Sequence, residues 1–259
     1  MYRIPVLTAA VCLCACLPSA GWARQTAKLD VTLKPDKPGA GTTIAFGFQI
    51  TGARGRVPSP LTGIDLRYPA NLGIGSSGLG LESCLPATLE TFGPEGCPAD
   101  SQMGYGSALV EVPFGPEVIH ETARTRTFSA PVSKGRLALL FYAEGESPIY
   151  AQLVFPATVE TALPPYGGSL NTTLPLVPSV PEAPDAAVVR LRSTIGPLNL
   201  TYYEQVHGKR VAYTPKGIVL PKNCPRDGFP FAADFNFADG TRASARTSVP
   251  CPGSPSARR

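Results

Sequence analysis

From Cys224 to Cys251 the chain alternates with a period of two. Phe229, Phe231, Ala233, Phe235 and Phe237 hold one parity, and Pro230, Ala232, Asp234, Asn236 and Ala238 hold the other. Successive side chains of a strand point to opposite faces, so this is a strand with an aromatic inner face and a small or polar outer one. Asp239-Gly240 supplies the positive φ angles of a tight hairpin turn. The return strand keeps the rule, with Ala243, Ala245, Thr247 and Val249 inward and Arg242, Ser244, Arg246 and Ser248 outward. Phenylalanines opposite small residues leave room for a second sheet on that face.

The same alternation predicts strands elsewhere. Leu29, Val31 and Leu33 face inward in one, Ile44, Phe46, Phe48 and Ile50 in the next, and Ile64, Leu66 and Tyr68 in a third. Strands resume after Ser107, and the Arg- and Thr-rich segment around Arg124 and Arg126 reads as an exposed edge. Leu137–Ala143 is apolar at every position, as expected of a central strand covered on both faces. Further strands are expected over 150–155, 170–174, 186–193, 198–203, 209–213 and 218–220. Helical periodicity is confined to Pro86–Phe92, with proline at the first position and Gly93 as the stop. That turn sits in a glycine-rich excursion, where conformation is most expected to vary. The fold class that follows is all-β: an antiparallel β-sandwich, one large or two closely packed Ig-like sandwiches, with a short disulfide-bonded helical loop. The domain spans 26–253, with sub-lobes 26–104 and 105–253 and a disordered tail over 254–259.

Compartment changes the picture next. Residues 1–23 carry Arg3, an apolar run from Ile4 to Leu17 and small residues up to Ala23, the features of a secretory signal peptide. The run is shorter than the roughly 20 residues a membrane-spanning helix needs. Leu13-Cys14-Ala15-Cys16 approximates a lipobox, so lipid anchoring at Cys16 is the competing reading. Cleavage after Ala23 leaves Cys84, Cys97, Cys224 and Cys251, and an even number of cysteines in an exported chain reads as disulfides. Of three pairings, Cys84–Cys97 with Cys224–Cys251 is expected, because each pair brackets a compact unit. The chain is therefore expected to be secreted or to reside in the envelope. A formal net charge of +4, with scattered basic residues, gives no nucleic-acid footprint.

Candidate chemistry is sparse. Gly73, Gly75 and Gly78 fit a dinucleotide motif but lead into a cysteine-bearing loop rather than a helix. Asp234, Asn236 and Asp239 miss the register of a calcium loop. Pro175, Pro178, Pro181 and Pro184 are three apart, the period of a polyproline II helix, and read as a stiff crossover between sheets. Tyr202, Tyr203 and Tyr213 are candidate ligand-surface aromatics. Neither cofactor nor metal is expected.

The segments LLFYAEG, CLPATLETFGPEGCP, NCPRDGFPFAADFNFADGT and the closing VPCP together resemble a family of uncharacterised exported β-sandwich proteins of actinobacterial type. The resemblance covers nearly the whole mature chain and implies the fold. It brings no assigned activity, so no catalytic residue follows from it. The expected function is a non-enzymatic envelope or extracellular binding or adhesion module, with cell-wall polysaccharide or another envelope protein as partner. The alternative is a secreted hydrolase of glycans or esters using Glu144, Glu146 or His120.

Overall fold

The computed structural model describes residues 24–145, 150–178 and 185–252. The signal-peptide and lipobox residues, Glu146, Pro181, Pro184 and the tail over 254–259 lie outside the described residues. The first half of the chain supplies β1 (Thr26–Lys34), β2 (Gly41–Thr51), β3 (Leu61–Pro69), the helix α1 (Pro86–Phe92), β4 (Gln102–Phe114) and β5 (Glu117–Ser133). Then follow β6 (Arg136–Gly145), β7 (Ala151–Thr161), β8 (Tyr166–Thr173) and β9 (Ala187–Ile195). The chain closes with β10 (Tyr202–Val206), β11 (Lys209–Tyr213), β12 (Ile218–Val219), β13 (Phe229–Phe237) and β14 (Arg242–Val249).

Where two stacked sheets were expected, hydrogen bonding runs through a single curled sheet in the order β1-β2-β9-β4-β5-β6-β7-β8-β3-β13-β14. The short β12 adds to β2, and β10 and β11 form a separate hairpin. β14 comes back alongside β1, so the sheet is nearly closed. Residues on both sides of position 104 share it: β2 pairs β9, and β3 pairs β8 and β13. The sub-lobe boundary therefore separates no sheets. Glycines make the curl affordable: a Cβ on Gly104 or Gly106 would sit 2.2 or 2.1 Å from a carbonyl oxygen of β9. Arg124 and Arg126 are on no edge, because β5 is paired on both sides, by β4 and β6.

The parity of the C-terminal hairpin holds, and Phe229, Phe231, Phe235 and Phe237 are all buried. Its turn differs in kind. Only Gly240 has a positive φ; its N–H donates to the Phe237 carbonyl and the Phe237 N–H to that of Thr241. This is the three-residue loop with a glycine bulge, not the two-residue turn. Asp239 accepts from the Thr241 N–H at 2.9 Å, and Gln25 Nε2 donates to Thr241 Oγ1 at 2.7 Å, so the entry to β1 is tied to this turn.

Both expected disulfides are present, with Cα atoms 5.2 Å apart for Cys84–Cys97 and 5.9 Å for Cys224–Cys251. The helical excursion is a packed cover. Cys84 and Leu89 are wholly buried on the outer face of β5 and β6, against Phe128, Ala138, Leu140 and Tyr142. This explains why β6 is apolar at every position: Leu139 belongs to the inner core and Leu140 to the patch beneath α1.

Candidate functional site

The register gives the curled sheet two ends. At one lie the starts of β2, β4, β6 and β8 with the last residues of β9 and β14. Leu79, Met103, Leu200, Tyr202, Ile218 and Leu220 plug this end as part of the inner core. At the other, the inner face encloses a cavity of about 150 Å3.

Eight consecutive strands of the path line the cavity. β4, β5, β6 and β7 contribute mostly small groups, among them Ala108, Ala123, Ala143, Gly145 and Ala151. Phe46 and Phe48 of β2, Ile64 and Leu66 of β3, and Leu191 of β9 stand across from them. Phe141 and Phe155 stack on neighbouring strands with centroids 5.6 Å apart. The hollow follows from side-chain volume: at these inward positions alanine and glycine stand where β13 carries phenylalanine. Among the described lining residues, Glu121 is the one carboxylate, 7% exposed, and Thr125, Thr172 and Ser193 supply hydroxyls. A cavity of this size with so largely apolar a lining suits small apolar groups.

The β8–β9 crossover reaches the cavity through Leu174, Val177 and Ala186. The Ala186 N–H donates to the Val177 carbonyl at 2.9 Å. Polyproline II over that separation would hold the two residues about 28 Å apart. The described flanks of the proline-bearing stretch therefore lie closer together than one continuous rod would hold them.

The sequence-derived candidates do not converge here. Tyr202 is fully buried in the plug; its hydroxyl donates to the Gln102 carbonyl at 2.6 Å and accepts from the Gly80 N–H at 2.9 Å. Burial, opposed by the Gly80 hydrogen bond, pushes its pKa up to about 12. Tyr213 packs edge-on to Tyr202 at 5.9 Å. Tyr203 is exposed, with the Arg210 guanidinium 3.8 Å from its ring centre. Of the three expected surface aromatics, Tyr203 is exposed, Tyr213 half-buried and Tyr202 buried. His120 lies 3.2 Å from Glu111, and Glu144 lies 3.5 Å from Arg124, four residues along β5 from His120. These are two separate contacts, and only the second joins groups of fixed opposite charge. Gly73 forms an antiparallel bridge with Val219 instead of opening a helix. Among the described residues no cluster of histidine, cysteine and carboxylate side chains could hold a metal ion.

A polar lattice crosses the outer face at β3. Arg67 pairs with Asp234, which accepts from Ser244 Oγ at 2.5 Å, and Asp65 lies 3.8 Å from Arg67. Burial raises the Asp65 pKa, with Arg67 opposing it. On the next strands Asn171 donates to Glu160, which pairs with Arg136. These contacts knit neighbouring strands from outside. No helix among the described residues is long and apolar enough to cross a membrane. Comparison of the chain with protein-family models, curated proteins and solved structures finds no match.

Proposed function

We propose that this chain is an exported, non-enzymatic binding protein that holds the apolar part of an amphiphile, such as a length of acyl or prenyl chain, inside its curled sheet. The cavity carries the reading: eight strands surround it with almost wholly apolar side chains, and such a lining recognises a ligand through area removed from water. Two disulfides fit an oxidising compartment. The leader-like N-terminal residues point the same way, to a secreted or envelope protein, with a lipid anchor at Cys16 as the variant form. We read the curled sheet as flattened, its facing walls packing as the layers of an Ig-like sandwich do, with Phe48 edge-on to Phe235 at 4.9 Å. The non-enzymatic reading draws on His120 and Glu144, which have separate partners, Glu111 and Arg124. Adhesion to cell-wall polysaccharide ranks second, because Tyr202 of its three tyrosines is buried and Tyr213 is half-buried.

The test is a titration with cis-parinaric acid, whose fluorescence rises on leaving water, followed by displacement with an unlabelled fatty acid. Wild type is expected to give a saturable, displaceable signal. Filling the hollow with Ala123→Leu and Ala143→Leu should weaken it by roughly tenfold or more while the fold is kept. Absence of a displaceable signal, or equal binding by the filled variant, overturns the reading.

A further inference from the structure

We infer that the cavity end of the sheet docks on a lipid bilayer, so that an amphiphile passes between membrane and cavity without crossing water. This rests on the ligand reading proposed above.

Three observations converge on that end. Phe114 at the close of β4, Val118 early in β5, Tyr150 just before β7 and Leu176 after β8 are all exposed, Tyr150 to 69%. They come from three separate connections, all bordering the hollow wall. Exposed aromatic and aliphatic groups around the rim of an apolar pocket form a surface that gains by entering the bilayer interface, and tyrosine is suited to that depth.

The course of the chain supplies the second. Thr26 of β1 pairs with Thr51 of β2, which places Arg24, the first described residue, at the cavity end. The 23 residues that precede it in sequence hold the apolar run Ile4–Leu17 and Cys16. A tether to the membrane through those residues, by an uncleaved leader or an acylated cysteine, would join the described chain at its cavity end. Entry at the plugged end would have turned the cavity away.

Charge is the third. Among the described residues, Arg24, Arg54, Arg56 and Arg242 are exposed at this end, and Glu117, Asp185 and Asp239 stand around it as well. The two signs roughly balance, so insertion of apolar groups rather than attraction to anionic headgroups supplies the contact. Binding should therefore depend little on salt or on anionic lipid.

The plugged end provides an internal control, because Leu163, Val132 and Leu137 are exposed there too, Leu163 to 84%. The experiment is flotation of the exported, disulfide-bonded protein, its leader removed and carrying Cys16→Ser, with phosphatidylcholine vesicles and with vesicles containing phosphatidylglycerol. Wild type is expected to float with both. Phe114→Asp with Leu176→Asp should lower partitioning on the order of a hundredfold, and Tyr150→Ser by less. Val132→Asp with Leu163→Asp should leave it unchanged. Parinaric acid titration in solution keeps the two readings apart: the rim variant should still bind the probe. Flotation without probe binding sinks the ligand reading alone. Failure of wild type to float, equal loss in both variants, or a rim that proves to hold two copies together in sedimentation overturns the docking.

Discussion

The wall made by β13 and β14 and the wall made by β4 to β7 obey one alternation and fill the interior in opposite ways. On β13 every second residue is phenylalanine or alanine, and each phenylalanine is at most 3% exposed. On β4 to β7 the cavity-lining positions carry mostly alanine, glycine, valine and threonine, broken by Glu121, Phe141, Leu153 and Phe155, and a hollow of about 150 Å3 remains. A binary pattern of apolar and polar positions fixes which face is inside. Volume at those positions then decides whether the inside is solid or empty.

The largest effect that separates the two walls is Phe235→Ala. It removes a close-packed ring from the solid side, and chemical denaturation should show a loss of about 3–5 kcal/mol. Phe155→Ala on the hollow side should cost less, about 2 kcal/mol, because part of that ring already lacks neighbours. Equal losses would mean that the hollow collapses in solution. Cys84→Ser with Cys97→Ser should cost about 3 kcal/mol. It should also raise hydrogen exchange in β5 and β6 specifically, since α1 is the cover of that wall. Tyr202→Phe is the smallest, about 1–2 kcal/mol for two lost hydrogen bonds. It carries a pH signature. The folded pKa is raised from 10 to about 12, so the neutral phenol is the form the fold favours. That contribution is complete below pH 10 and is lost as pH rises towards 12. Base titration of unfolding should therefore be flatter in Tyr202→Phe than in wild type.

Much of the fold was legible because alternation is local. The inward sets of β1, β2, β13 and β14, the helical turn at Pro86 and both disulfides could be read from neighbours in sequence. Pairing could not: β3 finds β13 across some 170 positions of chain, and no local pattern encodes that meeting. The continuous apolar run of β6 did announce a second covering layer, without saying that α1 provides it. The cavity left almost no trace, because Ala108, Ala123 and Ala143 look like ordinary strand residues until opposite walls are summed. Tyr202 was the readable miss. In a strand it and Tyr203 must face opposite ways, so the pair could never have shared a surface.

The hydrogen-bonded path holds eleven strands, and every neighbour along it is antiparallel. Direction flips at each step, and with an odd total the first and last members must point the same way. β1 and β14, brought side by side, therefore cannot zip up as the other neighbours do. Arithmetic alone makes this the one join in the circumference whose strands run parallel, and the bond from Gln25 to Thr241 is a clasp across it.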